Sequence, residues 1–163
     1  MQSIHEATKP FSALGKMIDE GDVAMFATAA GDGTLRSRPM ATSHVSRDGE
    51  IIFFSAYDTE LLDELKSDAQ VNVTYRHESQ KDYVSVSGMV EIIRDKKPME
   101  LFWKDDFEQW IADGFDNPKL VMIKLTPLHA EHWGQSDELK RLGRIFVYGK
   151  NEPEAFYEQM GTR

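Results

Sequence analysis

Two short glycine-containing turns, each set between strand-like runs, constrain the fold of this chain most strongly. Residues 31–34 (Gly-Asp-Gly-Thr) separate the run 23–30 from residues 35–46, and a second Asp-Gly turn then leads into the apolar run 51–56. Turns of this composition join neighbouring antiparallel strands. We therefore predict three consecutive strands in hairpin connection within the first third of the chain.

Patterning predicts further strands in the rest of the chain. Residues 71–77 alternate apolar and polar side chains, as a half-buried strand does. Residues 83–93 form a longer strand, in which Gly88 indicates a bulge or a bend of the kind that barrel closure requires. A last long strand covers residues 120–133, and residues 145–148 could add a short edge strand. Most of these strands have hairpin connectivity.

Three segments have the apolar spacing of helices. The first ends at Gly21, the second starts at Asp58 or Thr59, and the third covers residues 96–113. In the third, two tryptophans seven residues apart are expected on one face, as core or dimer contacts. The first helix has an apolar stripe, the second has three leucines predicted to face inward, and the third has more aromatic surface than one small barrel core absorbs. The residues are, in that order, Phe11, Leu14, Met17 and Ile18; Leu61, Leu62 and Leu65; and Phe102, Trp103, Phe107 and Trp110.

These elements predict a single domain of the mainly β (α+β) class, a small β-barrel with inserted helices. The domain spans residues 1–163. Its N-terminal helix lies in residues 1–20, its barrel in residues 21–134 and a charged tail in residues 135–163.

Charge and composition exclude several classes of function. The 163 residues carry a net charge of −9, with a pI near 5.0, so we expect neither a nucleic-acid nor an anionic-membrane partner. The chain has no cysteine, which excludes disulfides, thiolate metal sites and a cysteine nucleophile. No apolar stretch approaches the length of a membrane span, and the first twenty residues do not resemble a signal peptide. The expected compartment is the cytoplasm.

Two arginines on the second predicted strand form the clearest candidate ligand site. Alternate side chains of a strand share a face, so Arg36, Arg38 and Met40 follow one another about 7 Å apart. Two guanidinium groups held in this way suit a phosphate or a carboxylate, because each can donate two parallel hydrogen bonds. The alternative is a pair of solvated strand arginines.

Other polar groups do not predict catalytic or metal sites. His129 and His132 are three residues apart in a strand and point to opposite faces, so no metal site is predicted. Asp105, Asp106 and Glu108 are interpreted as a solvated acidic face. Ser85 and Ser87 are strand hydroxyls, and no histidine or aspartate partner indicates that either is a nucleophile. No catalytic residue is therefore assigned.

Five motifs, in order and with suitable spacing, resemble one known family. They lie at residues 36–40, 51–55, 83–95, 110–118 and 130–133, the last of these reading Ala-Glu-His-Trp. The set resembles the general-stress-protein branch of the pyridoxamine 5′-phosphate oxidase-like family, which folds as an FMN-binding split β-barrel. The resemblance covers roughly residues 10 to 134 of this sequence.

The resemblance implies an FMN site. It implies that Arg36 and Arg38 hold the flavin phosphate, and that Thr59 donates to this phosphate from a helix N-terminus. Beside the isoalloxazine ring it places Pro39, Met40, Phe54, Ser55 and Trp133.

The chain departs from the family pattern at two neighbouring positions. Family members usually carry a lysine, often with a basic neighbour, where this chain has Leu61 and Glu60. With Asp58, the first turn of the helix is acidic, which favours the helix dipole but repels a phosphate dianion. This departure predicts either weaker FMN binding than in a typical relative or a different ligand.

Three functions are consistent with the sequence. The first is an FMN-dependent oxidoreductase, in which the flavin carries the electrons or hydride and the protein orients it. The second is a carrier or sensor of flavin or another phosphorylated small molecule, and the third is a split barrel that has lost its cofactor. In each case a homodimer is expected, because a small split barrel leaves sheet edges and aromatic surface that a two-fold partner buries.

Overall fold

The computed structural model describes residues 11–79 and 81–134, together with the backbone of residues 146–147. The described residues form eight strands: β1 (Val23–Ala29), β2 (Leu35–Ala41), β3 (His44–Val45), β4 (Ile51–Ala56), β5 (Gln70–His77), β6 (Asp82–Ile93), β7 (Leu120–Trp133) and β8 (Phe146–Val147). The helices are α1 (Leu14–Met17), α2 (Glu60–Ser67) and α3 (Lys96–Met99), with 3-10 helices at Asp105–Gln109 and Gly114–Asp116. The prediction of a mainly β fold with inserted helices is confirmed.

The strands form one curled antiparallel sheet in the order β2-β1-β5-β6-β7-β4-β3, and β8 adds to the free side of β7. Its two ends meet, because β3 continues directly from β2. The amide of Thr42 still pairs with Asp22 at the start of β1, whereas the amide of Ser43 already pairs with Ile52 in β4, both at 2.8 Å. The chain thus leaves one end of the sheet and joins the other within two residues.

This bend corrects the prediction of one strand over residues 35–46. Between Thr42 and Ser43, both fully buried, the partner strand changes from β1 to β4. A straight strand could pair with β1 or with β4 but not with both, so the bend closes the barrel. It also leaves β2 and β4 without a ladder between them, and the barrel is split along this line.

Strand β4 and the first half of β7, residues 120–125, are buried on both faces. Their alternate residues point into the barrel, where Phe53, Ile123 and Leu125 pack with residues of the other strands. The intervening residues pack against a second apolar cluster outside the barrel: Ile52, Phe54, Met99, Phe107, Leu120 and Met122. The segment between β6 and β7 covers this outer face.

The prediction of a continuous helix over residues 96–113 is wrong. Only Lys96–Met99 is α-helical, Lys104 is extended and Asp113 adopts the left-handed conformation with φ of 62°. A straight helix of this length would run about 27 Å, whereas the aromatic side chains of the segment converge on Phe54. The two tryptophans do not share a face: Trp103 packs into the second cluster, whereas Trp110 is 60% exposed.

Predictions for the other elements agree with the structure. Gly88 lies at a register shift between β6 and β7, as the predicted bulge requires. The first helix is short, yet its four predicted apolar side chains are all buried. The predicted edge strand 145–148 appears as the two residues of β8, and the rest of the tail lies outside the described residues. Within the described part of the chain, no helix has both the length and the apolar character that crossing a bilayer requires.

Candidate functional site

A cavity of about 680 Å³ lies along the split between β2 and β4. The end of β2 forms one wall and the end of β4 the other, and the segment after α3 closes the outer side. The cavity is lined by Val23, Pro39, Met40, Ala41, Phe54, Ser55, Ala56, Asp58, Thr59, Phe107, Trp110, Ile111, Ala112, Asp113, Asn117, Pro118 and Lys119. The cavity exists because the chain changes partner strand at Thr42 and Ser43, which leaves the strand ends apart.

The outer wall of the cavity is aromatic. The ring of Phe107 lies 5.7 Å from that of Phe54 and 6.3 Å from that of Trp110, between centroids. Phe54 also contacts Trp103 edge to face at 5.2 Å. These contacts fix the rings of Phe54 and Phe107, whereas Trp110 presents much of its surface to solvent. A flat aromatic ligand would find apolar and aromatic surface here.

Five of the eight site residues implied by the resemblance line this cavity. Pro39 and Met40 come from β2, Phe54 and Ser55 from β4, and Thr59 from the start of α2. The sequence places them on three separate elements, and the split of the barrel brings them together.

The polar groups of the cavity are largely occupied by one another. Thr59 donates its hydroxyl proton to the carbonyl oxygen of Ala56 at 2.9 Å. Lys119 donates to Asp58 at 2.7 Å, and this bond lowers the pKa of the Asp58 carboxyl. The amide group of Asn117 donates to the carbonyl oxygen of Ala112 and accepts from the backbone N–H of Lys119, both at 2.8 Å.

Arg36 and Arg38 share a face of β2, as predicted, but neither lines the cavity. Both guanidinium groups turn toward Glu64 of α2. Arg38 donates to one carboxylate oxygen at 2.7 Å, and Arg36 donates to the other at 3.3 Å. Arg38 also donates to the hydroxyl of Thr28 at 2.8 Å. The carboxylate that the arginine pair suits is therefore present within the chain itself.

Glu64 was not identified from the sequence. Its side chain is only 7% exposed, and the hydroxyl of Thr28 donates to it. This hydrogen bond, with those from Arg38 and the charge of Arg36, lowers the pKa of the Glu64 carboxyl against the opposing effect of burial. A signal existed in the sequence, because Glu64 lies three residues after Leu61 and thus on the inward side of α2.

The two departures from the family pattern differ in environment. Leu61 is buried in the barrel core with Leu62 and Leu65, whereas the side chain of Glu60 is 87% exposed and lies 4.0 Å from Arg36. The side chain of Leu61 therefore packs in the core, and the exposed part of the first turn is acidic.

Trp133 lies away from the cavity within one chain. Residues that line the cavity immediately precede the first residue of β7, and Trp133 is the last of its fourteen residues. There it pairs with Tyr83 at the start of β6 and is half exposed. A single chain thus does not bring Trp133 to the other implied site residues.

A second polar cluster closes one end of the barrel and was not anticipated from the sequence. His77 contacts Asp22 and Asp82, each at 2.8 Å, and His132 contacts the other oxygen of Asp82 at 3.1 Å. Asp82 is fully buried, and the Nδ1 atom of His132 is buried with no hydrogen-bond partner among the described residues. Among the described residues, no group of three or more histidine, aspartate or glutamate side chains has an arrangement that could hold a metal ion.

A family model described as "Pyridoxamine 5′-phosphate oxidase like" matches residues 9–150, most of the chain. The chain belongs to this family. Protein bli-3 of Neurospora crassa is 25% identical over 109 residues, which cover 61% of this chain and 52% of bli-3. The chain thus spans about half the length of this curated relative.

Solved structures of the family have the same fold. General Stress Protein 26 from Bacillus anthracis superposes with a TM-score of 0.63 at 18% identity, covering 77% of this chain and 92% of that one. A pyridoxamine 5′-phosphate oxidase-related, FMN binding protein from Nostoc punctiforme superposes with a TM-score of 0.56 at 12% identity, covering 82% and 85% of the two chains. The resemblance seen in the sequence, and the split-barrel fold that it implied, are confirmed.

Proposed function

We propose that the chain binds a flavin, with the isoalloxazine ring in the cavity between β2 and β4. The family resemblance implies that this flavin is FMN. The observation that carries this proposal is the convergence of Pro39, Met40, Phe54, Ser55 and Thr59 on one cavity. The cavity volume of about 680 Å³ is in the range of small-molecule sites. Its aromatic outer wall suits the flat ring.

We further propose that the bound flavin makes the protein an oxidoreductase. The flavin supplies the transfer of electrons or hydride when it is bound, and the protein orients the ring and limits the access of water. Met40 lies on one wall of the cavity and Phe54 on the opposite wall. The sequence and the geometry of the site name no acid or base for the reaction.

A visible spectrum of the purified protein, before and after the addition of FMN, tests the flavin proposal. Bound flavin should give the two flavin absorbance bands and a quenched fluorescence. Oxidation of a reduced nicotinamide in the steady state then separates an oxidoreductase from a flavin carrier or sensor. If no flavin binds at micromolar concentrations, the proposed function is wrong.

Replacing Trp110 by Ala tests the location of the ring. Trp110 lines the cavity at its exposed side, so its loss should weaken flavin binding about three- to tenfold, the range of one aromatic contact. The control is Leu101→Ala, because Leu101 lies in the same segment, is 80% exposed and does not line the cavity. Titration by flavin fluorescence should separate the two variants, and equal affinities would contradict this placement.

We also propose that the protein works as a homodimer in the cytoplasm. The large apolar side chains that are exposed on the described strands include Val23 and Met25 on β1, and Tyr83 and Trp133 at the paired ends of β6 and β7. A second copy could cover such surfaces. It could also bring Trp133 to a flavin that is bound by the other chain. A particle of 18.6 kDa by light scattering across micromolar concentrations would contradict the dimer.

A further inference from the structure

One lysine lines the cavity between β2 and β4, two arginines lie next to it on β2, and all three are already paired with carboxylates. Another cation, Lys96, donates to the backbone carbonyl oxygens of Phe115 and Asn117. Among the described residues that line the cavity, the one lysine or arginine is Lys119, which is bonded to Asp58. The two arginines are Arg36 and Arg38, which precede the lining residue Pro39 on β2 and are bonded to Glu64. A ligand phosphate would therefore have to displace a carboxylate from each of these groups.

The arginine pair carries no net positive charge with its neighbours. Arg36 lies 3.3 Å from Asp32, 3.3 Å from Glu64 and 4.0 Å from Glu60, while Arg38 lies 2.7 Å from Glu64. Two positive charges thus face three negative ones. Because the Glu64 side chain is buried and held by α2, it cannot swing away into solvent as a surface carboxylate can.

Three of the remaining polar side chains that line the cavity can only accept a further hydrogen bond, whereas the hydroxyl of Ser55 can donate and accept. The hydroxyl of Thr59 already donates its hydrogen bond to the carbonyl oxygen of Ala56, so its oxygen can only accept a further hydrogen bond. Asp58 and Asp113 are carboxylates, which accept. An oxyanion requires donors, whereas the hydroxyl groups of a sugar alcohol can donate to each of these atoms. Glu60 and Asp63 already supply the negative charge that the N-terminus of α2 favours.

We propose that the cavity between β2 and β4 recognises an isoalloxazine ring carrying an uncharged polyol chain, and that a terminal phosphate on that chain adds almost nothing to binding. This inference rests on the proposed flavin site. It assigns Glu64 the role of keeping Arg36 and Arg38 neutralised. Riboflavin and FMN therefore bind with nearly equal affinity, and FMN binding depends little on salt.

Titration of the full chain with riboflavin and with FMN tests the inference directly, because the two ligands share the ring and differ only in the phosphate. The expected dissociation constants agree within about threefold. FMN binding more than about tenfold tighter overturns this inference and leaves the flavin site intact. Binding of neither flavin overturns the proposed function and this inference with it.

Replacement of Glu64 by Gln tests the role of the buried carboxylate. The side chain keeps its shape while one negative charge is lost, so FMN should now bind at least about fivefold tighter than riboflavin, with riboflavin unchanged. The control is Glu91→Gln, which makes the same change of charge at an exposed position of β6 outside the cavity and the arginine cluster.

A second variant keeps the test decisive if Glu64→Gln does not fold. Glu60→Lys reverses a charge on a side chain that is 87% exposed, beside Arg36, so it should leave the melting temperature nearly unchanged. It should also create a preference for FMN over riboflavin. If the folded variants show no such preference, pairing of the arginines with carboxylates does not explain equal binding of FMN and riboflavin. The role that we assign to Glu64 is then overturned.

Discussion

At the scale of single residues, the position of Glu64 changes the meaning of the two arginines. The strand pattern correctly placed Arg36 and Arg38 on one face and correctly indicated affinity for an oxyanion. Their partner in the fold is a carboxylate of α2 rather than an external ligand. The partly buried ion pairs of Arg36 and Arg38 with Glu64 join α2 to β2, and the hydroxyl of Thr28 extends this link to β1.

Arg38→Ala should destabilise the fold more than Arg36→Ala. Arg38 has the shorter bond to Glu64 and is 24% exposed, against 43% for Arg36, so its loss leaves the buried carboxylate with less compensation. We expect a loss of about 1–3 kcal/mol in the free energy of unfolding for Arg38→Ala and less than about 1 kcal/mol for Arg36→Ala. Urea denaturation of both variants at neutral pH measures the difference, and the reverse order would contradict the role given to Arg38.

At the scale of secondary-structure elements, the bulge between β6 and β7 and the bend between β2 and β3 shape the barrel. At Gly88 the backbone of β7 approaches so closely that an added Cβ atom would overlap the carbonyl group of Thr126. Glycine was therefore a correct marker of a close strand approach. The bend after β2 carries no comparable marker, because Thr42 and Ser43 are ordinary residues in a strand pattern.

Gly88→Ala should be strongly destabilising for this reason. The conflicting atoms belong to the backbone of Thr126 and Pro127, which cannot move without disturbing the longest ladder of the sheet. We expect a loss of about 2–4 kcal/mol in the free energy of unfolding. The control is Gly31→Ala, because no atom lies within 4 Å of the Cβ position at Gly31. A thermal melt in which both variants behave alike would contradict the close approach.

At the scale of the whole molecule, the cluster of Asp22, His77, Asp82 and His132 ties the hairpin between β5 and β6 to the start of β1 and the end of β7, which are distant in sequence. Burial by itself would lower the pKa of His77, but the hydrogen bonds that its ring donates to Asp22 and Asp82 outweigh this effect, and the pKa is raised. Protonated His77 thus bridges two carboxylates at the end of the barrel.

The stability of the fold should therefore decrease as the pH rises through the neutral range. A histidine whose pKa is higher in the folded state contributes stability below its unfolded value of 6.5, and this contribution is lost as the pH rises through the folded pKa. Melting temperatures between pH 6 and 9 (a range set by the ordinary histidine pKa) should fall in the native protein. The melting temperature of His77→Gln should fall less over this range. The control is His44→Gln, which changes a more exposed histidine paired with Glu20 and should behave as the native chain does. A native profile that rises with pH would contradict this role of His77.

The sequence by itself determined the local structure of this protein. Alternating patterns and Asp-Gly or Gly-containing turns predicted β1, β4, β5, β6 and β7 closely, because strand pairing across a short turn depends on neighbouring residues. The ordered motifs also identified the family, and they named five residues that line one cavity. The helical prediction for residues 96–113 failed because the aromatic side chains pack on Phe54 and Met122, which are distant in sequence.

Only the tertiary structure decided what surrounds each predicted group. The pairing of both arginines with Glu64 depends on how α2 crosses β1 and β2, which no local pattern specifies. The cavity depends on the exchange of partner strand at Thr42 and Ser43, and the contact of His77 with Asp22 joins residues 55 positions apart. Electrostatic neutralisation and cavity shape arise from such long-range contacts, so the sequence predicted residues that line one cavity but not the partners of the charged groups beside it.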